Sequence, residues 1–290
     1  MRYHALHFAG SLELPSGAGH GLHVIHASGR GMHLEVPNGW LSLCLPLAGR
    51  LQLESADGYW DLAAGRVQVW RDGTLRLNCH ATGLWLVLTG PLTAWQRHLH
   101  LLGHASDPEI FPRANECQRD LRRLLVRLAR CARGTAGPGF DPATLVEAVC
   151  AALVEQQHDL HARVQRCSGR TLQRRRQTML RLLRVRHLIE SQGDERPDLM
   201  RLARSASYSP WHLIRMHRDV FGETPAEYAA RLRLDRAWSL VRDTQAPVCE
   251  ISEALGFESQ SAFCRAFKKS FGRTTTEVRQ AQANADSLAA

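Results

Sequence analysis

The apolar positions of this chain repeat with one period in the first third and with another in the remainder. Leu41, Leu43 and Leu45 alternate with Ser42 and Cys44, Leu51 and Leu53 continue beyond Gly49, Val67 and Val69 flank Gln68 before Trp70, and Leu84, Leu86 and Leu88 alternate again. A period of two sends successive side chains to opposite faces of a strand. The dipeptides Asp57-Gly58 and Asp72-Gly73 supply hairpin turns between such runs. Residues 1 to about 90 therefore read as many short strands punctuated by glycine, the pattern of a closed or rolled β-structure.

From Pro91 the period becomes helical. Over residues 117–132, Cys117, Leu121, Leu124, Leu125, Leu128 and Ala132 share one side, and Arg119, Arg122, Arg123, Arg127 and Arg130 take the solvated remainder. The stretch Gly134 to Gly139 breaks the chain, and Ala143 to Val164 is expected as one further helix bearing Leu145, Val149, Leu153 and Leu160. Ser168-Gly169 reads as a hinge. The basic run Arg174-Arg175-Arg176 then opens a helix that passes Leu188 and Ile189 and closes at Gly193.

Between Asp198 and Gly272 one device occurs twice. In the first copy Leu199, Leu202 and Ala203 give a short helix its buried stripe, and Ser209-Pro210 starts a second helix, with a capping hydroxyl followed by proline at the first helical position. Leu213, Met216 and Val220 fall on its inner side and Gly222 ends it. In the second copy Ile251 and Leu255 form the stripe, Gly256 the turn and Ser259 the cap of a helix whose inner side is Phe263, Phe267 and Phe271. Thr224, Pro225 and Glu227 make a capping box for one long helix that joins the copies and runs to Thr244. Either copy alone matches a plain helical bundle; two helix-turn-helix units on a stiff spacer point to paired insertion into successive major grooves, roughly 34 Å apart.

Composition adds a polyanionic partner to that picture. A chain of 290 residues with 44% hydrophobic content suits two packed domains, and a net charge of +9 favours nucleic acid. All but two of the 37 basic residues, Lys268 and Lys269, are arginine, a bias that carries little functional weight. The eight cysteines form no C-x-x-C and scatter as small buried hydrophobes do, so reduced thiols are expected. His4, His7, His20, His23, His26 and His33 invite a metal. Yet the threefold spacing of His20, His23 and His26 does not share one strand face, and the one H-x-H, His98-Leu99-His100, lies in helical sequence. No metal, cofactor or catalytic residue is expected. No run approaches a membrane span and no apolar core of signal length opens the chain, so a cytoplasmic location is expected.

The stretches SPWHLIRMHRDVFGETPAEY, RLRLDRAWSLV and EISEALGFESQSAFCRAFKKSFG, within about Met179 to Arg279, resemble the DNA-binding domain of the AraC/XylS family of bacterial transcription regulators. The resemblance implies an α+β two-domain protein: a cupin-like β-barrel or roll with trailing helices, then an all-α domain with two helix-turn-helix motifs. It divides the chain into a β-rich sensor domain at 1–105, a helical dimerisation or linker region at 106–170 and a DNA-binding domain at 171–290. It assigns DNA contact to Trp211, Ile214, Arg215 and Arg218 in the first reading helix and to Gln260, Ser261, Ala262, Arg265 and Lys268 in the second. Glutamine and arginine suit bidentate reading of adenine and guanine. Double-stranded DNA is the implied partner, with RNA polymerase, a small-molecule effector and a second copy of the chain as further partners. Ser207 stands where the family usually has glycine, His217 where it has a core phenylalanine and Thr275 where it has proline. Ile214 replaces a polar reader and leaves a thymine methyl or groove shape to recognise.

The stretch Leu41 to Arg71 is similar in turn placement to the cupin-like sensors of such regulators. Trp60, Trp70, Trp85, Tyr59 and Arg66 are available to line an effector space in the roll, although each also fits a plain core or surface role. The helices of 106–170 match the family's dimerisation element and equally fit packing on their own β-structure. Two other classes stand beside the regulator: a cupin-like metal enzyme joined to a DNA-binding module, against which the ligand pattern argues, and an architectural DNA binder without sequence preference.

Overall fold

The computed structural model describes residues 1–289 except 18–20, 72, 104–107, 136–140 and 192–196, and leaves aside the side chains of 285–289. His20, Asp72 of the second expected turn, most of the Gly134 to Gly139 break and the Gly193 stop lie outside the described residues. The chain divides into two compact units, Met1–Gln165 with Arg175–Leu183, and Arg166–Arg174 with Arg184–Ala290.

The first unit opens with β1 (Arg2–Leu6), β2 (Ser11–Glu13), β3 (His23–Gly29), β4 (Met32–Val36), β5 (Trp40–Ala48), β6 (Arg50–Ser55), β7 (Gly58–Ala63), β8 (Arg66–Trp70), β9 (Leu75–Cys79) and β10 (Gly83–Pro91). There follow α1 (Leu92–His100), β11 (Arg113–Glu116), α2 (Arg119–Ala132), α3 (Pro142–Gln156) and α4 (His158–Val164). Among the described residues one sheet runs β1-β3-β10-β5-β8-β11 and the other β2-β4-β9-β6-β7. Both are antiparallel apart from the β1–β3 and β2–β4 pairs.

The period of two sorts the first sheet into two cores. In β10, Trp85 and Val87 pair with Ala27 and Ile25 of β3 and enter the core between the sheets, with Cys44, Leu53, Trp70 and Leu77. Leu86 and Leu88 pair with Leu45 and Leu43 of β5 and point the other way, into a core completed by Trp95, Leu121, Leu125, Leu128, Val149 and Leu153 from the helices. The alternating leucines of β5 and β10 therefore face the helix layer, whereas Leu51 and Leu53 of β6 face the other sheet. Full burial of each such side chain contributes about 1.5–3 kcal/mol. On the inter-sheet face the opposed polar residues Ser42 and Thr89 satisfy one another by a hydrogen bond of 2.8 Å.

Three local expectations are corrected. The first hairpin turns at Ala56-Asp57, since Ser55 already pairs with Gly58; the Ser55 Oγ accepts from the Asp57 N–H at 3.1 Å and Gly58 takes φ +130°. β11, unanticipated within the helical region, pairs with β8. The single helix expected from Ala143 to Val164 is two, broken at Gln157, whose buried side-chain amide turns aside to receive the Phe111 N–H and donate to the Phe111 carbonyl, both at 2.8 Å. Of the helices of 106–170, α2 and α3 bury their apolar faces in the same core as the first sheet.

Of the side chains expected to line an effector space, Trp60, Trp70 and Trp85 gather at the inter-sheet core, where Trp60 packs on Trp70 at 5.0 Å and Trp70 and Trp85 are 2% and 1% exposed, whereas Tyr59 is exposed and Arg66 is exposed at the start of β8. The described cysteines are free thiols, and burial pushes Cys150 up to about 12 and Cys44 higher still. His4 and His23 stack with a 3.0 Å nitrogen contact. Among the described residues no group of three or more His, Cys, Asp or Glu is placed to hold a metal, and no helix is long and apolar enough to cross a membrane.

The basic run falls in α5 (Leu172–Ser191). Arg175 donates to Gln165 at 2.7 Å, and Arg176 lies 3.5 Å from Glu109, which also holds Arg71 at 2.6 Å. The second unit continues with α6 (Leu199–Ser205), α7 (Pro210–Phe221), α8 (Pro225–Asp243), α9 (Val248–Ala254), α10 (Gln260–Phe271) and α11 (Thr275–Ala289). Along α8, Ala237 and Val241 join Ile251, Leu255, Phe263 and Phe267 in the core of the second copy. Nearer its start Tyr228 is buried under Arg186, whose guanidinium lies 3.7 Å from the Tyr228 ring and 4.5 Å from Phe221, and it donates to Glu190.

Candidate nucleic-acid interface

The two copies are built alike, atom by atom at their corners. α6 leads into a turn in which Ser207 N–H donates to Arg204 O at 3.0 Å and Tyr208 N–H to Ala203 O at 2.9 Å. After α9 the same bonds run from Gly256 to Glu253 at 2.9 Å and from Phe257 to Ser252 at 3.0 Å. Ser209 caps α7 by accepting from the His212 N–H, and Ser259 caps α10 by accepting from the Ala262 N–H. Each reading helix closes on a left-handed glycine, Gly222 at φ +81° and Gly272 at φ +69°. Each is followed by a reciprocal capping box, Thr224 with Glu227 and Thr274 with Glu277. The carboxyls of both glutamates are held below the usual range by the threonine N–H groups that donate to them.

This correspondence sets the side chains of α7 and α10 in register. Leu213, His217 and Phe221 occupy the inner positions that Phe263, Phe267 and Phe271 occupy in α10, so Arg215 stands where Arg265 stands and Arg218 where Lys268 stands. Of the expected DNA-contacting residues, Trp211, Arg215 and Arg218 are exposed on α7, Trp211 to 84%, and Ile214 is half-buried. On α10, Gln260, Ser261, Arg265 and Lys268 are exposed and Ala262 is half-buried. Both helices thus present a polar, cationic outer face beside a fully apolar or neutral inner one.

The outer faces differ in how their cations are held. Arg215 Nη2 lies 3.5 Å from the Nδ1 of His212, and Arg218 is 3.4 Å from Glu227. Arg265 has no hydrogen-bond or ion-pair partner among the described residues. The roles of His212 and Glu227 in steadying the arginines went unforeseen; the three-residue spacing from His212 to Arg215 was the available sign.

The inner faces explain the departures from the family pattern. His217 is fully buried and donates its Nδ1 proton to the Glu223 carbonyl at 2.5 Å, which spends the imidazole on the loop beyond Gly222. Burial holds it neutral, with its pKa pushed down to about 4. Thr275 is buried at the start of α11. Ser207 is left-handed at φ +56°, which an L-residue tolerates at a cost.

A family profile described as a helix-turn-helix domain matches residues 202–281, a span that contains both reading helices. Regulatory protein SoxS of Salmonella typhimurium is 38% identical over 78 residues, covering 27% of this chain and 73% of that protein. Right origin-binding protein of Escherichia coli is 37% identical over 92 residues, 32% of each chain, so this chain spans about a third of that relative's length. The crystal structure of a transcriptional regulator with an AraC-type DNA-binding domain from Chromobacterium violaceum aligns at 28% identity and a TM-score of 0.34, over 36% of this chain and 92% of that one. With its paired units, its two capping boxes and this level of identity over most of a curated relative, the chain belongs to the AraC/XylS family of transcription regulators.

Proposed function

We propose that this protein is a sequence-specific DNA-binding transcription regulator whose α7 and α10 enter successive major grooves on one side of the duplex. The observation that carries the reading is the register of the two helices: an exposed arginine, Arg215 or Arg265, stands at the same place on each outer face. An arginine there meets the O6 and N7 atoms of guanine as a bidentate donor, Gln260 suits adenine, and Trp211, Ile214 and Ala262 offer apolar contact to thymine methyls. Arg218 and Lys268, at the last turn of each helix, contact phosphate, as do the amides at the helix starts.

The β-rich part is read as a cupin-like sensor for a small effector, supported by two sheets that share an apolar core. A second copy of the chain and RNA polymerase are its further proposed partners. Selection of bound duplexes from a random library tests the central reading. Two blocks of base preference about one helical turn apart are expected; uniform recovery of sequences favours an architectural binder and rejects the regulator.

A further inference from the structure

We propose that the outer face of α2 holds the phosphate backbone of duplex DNA beside the bases read by α7 and α10, through Arg119, Arg122, Arg123 and Arg130. The proposal rests on the DNA-binding reading and adds to it a contact surface in the first unit. α2 turns Leu121, Leu125, Leu128 and Ala129 into the core, which leaves the opposite face to solvent. Spacings of three, four and eleven residues bring Arg119, Arg122, Arg123 and Arg130 onto that face, and all four are exposed.

A solvated helix face ordinarily mixes both signs of charge at three- and four-residue spacing. α2 instead holds five arginines and one acid, Asp120. Asp120 lies 3.5 Å from Arg123 with both side chains well exposed, so the pair neutralises little. The guanidiniums of Arg119, Arg122 and Arg130 have no hydrogen-bond or ion-pair partner among the described residues. Acids are present in the next helix, where α3 carries Glu147 and Glu155 and no basic residue, yet they do not pair with these three. Arg119 and Arg122 also stand at the start of α2, where a cation opposes the helix dipole. Neither local pairing nor helix stability accounts for such a face, whereas a polyanion relieves its self-repulsion.

The chemistry of the face selects DNA. α2 contains no aromatic residue and its leucines pack on the core, so the face offers neither an anchor for a protein pocket nor apolar side chains for a lipid surface. A second α2 would bring like charge against it. Guanidinium forks match phosphate oxygens. Arg119 and Arg130 lie about 17 Å apart along the helix axis, and a duplex carries a phosphate about every 3.4 Å of each strand, so the face matches a run of phosphates rather than a single anion.

The full chain is titrated across a salt series with duplexes of about 60 base pairs, one carrying a selected site at its centre and one random. R119Q/R122Q/R130Q is compared with R2Q/R30Q/R50Q, which removes the same charge from exposed positions elsewhere in the first unit. Glutamine at exposed helix positions keeps the helix propensity of arginine, so the fold is retained. The α2 variant is expected to bind both duplexes at least tenfold more weakly, with the slope of log affinity against log salt reduced by about 2 to 3 and the preferred sequence unchanged. The comparison variant is expected to lose far less. Equal losses in the two variants assign the effect to net charge, and no loss in the α2 variant leaves its arginines merely solvated; either result overturns the proposal. Vesicles of phosphatidylserine and phosphatidylcholine form a further arm: binding to them that the α2 variant loses, with DNA binding retained, overturns it in favour of a lipid surface. The preference of the wild type for the selected over the random duplex reports separately on the regulator reading, because the α2 contact strengthens both alike.

Discussion

Ser207 and Gly256 hold the same left-handed corner in the two helix-turn-helix copies, at φ +56° and +66°, each donating its N–H to the carbonyl three residues back. Glycine takes that conformation without a Cβ clash, whereas serine is strained by about 1–2 kcal/mol. Glycine returns part of that advantage by loosening the unfolded chain. S207G is therefore expected to stabilise the second unit by about 0.5–1 kcal/mol, and G256S to destabilise it by a similar amount. Denaturant unfolding of both variants checks this; a loss of stability in S207G means that the serine hydroxyl supplies something the strain argument omits.

His217 makes the first copy sensitive to acid where Phe267 leaves the second indifferent. The folded pKa, about 4, lies below the ordinary 6.5, so the unfolded chain takes up the proton first as pH falls. This contribution to stability is fully present above pH 6.5 and is lost as the pH drops toward 4, by about 3 kcal/mol in all. H217F should flatten that dependence, at the expense of the bond to the Glu223 carbonyl near neutrality. Unfolding curves at pH 7.5 and pH 5 decide the matter, and parallel slopes for wild type and H217F contradict it.

The second unit was legible because its signals are local. Ser209, Ser259, Gly222, Gly272 and the Thr224–Glu227 box each act within four residues, and the structure places every one as its spacing implied. The first unit was legible in its strands and obscure in their use. Alternation in Leu41, Leu43 and Leu45 shows a strand but not which face meets the other sheet, and both faces of this one are buried. β11 and the Gln157 break depend on partners far along the chain, β8 and Phe111, which no local pattern discloses. In the interface, exposure of Arg215 and Arg265 followed from helical period alone, whereas the contact of Arg218 with Glu227 required the turn between α7 and α8.

Gln157 joins the α3–α4 break to the segment before β11 by using both ends of its amide on one residue, Phe111, whose own N–H and carbonyl have no other partner among the described residues. A methionine of similar volume at 157 keeps the packing and removes both bonds, leaving two buried backbone groups unsatisfied. Q157M is expected to cost about 2–4 kcal/mol, localised to the first unit. Hydrogen exchange at the Phe111 amide gives a direct reading: it should become at least tenfold faster in Q157M, and unaltered exchange would show that water or another group replaces the glutamine.

Arg265 and Lys268 lie three residues apart on α10, yet the roles proposed for them predict opposite signatures. Arg265 lies midway along the helix, exposed and without a partner among the described residues, so reaching a base edge breaks no contact within the protein. R265A should weaken binding at the selected site by about 1–3 kcal/mol and relax preference at one base position, while binding to random duplex changes little. Lys268 is in the last turn, where a flexible ammonium meets phosphate rather than a base. K268A should weaken selected and random duplexes alike and reduce the slope of log affinity against log salt by about 1. The two variants are compared on both duplexes across a salt series. If R265A lowers affinity for all sequences equally, or K268A changes the preferred base, then α10 lies in the groove in a different orientation from the one that the register of its caps implies.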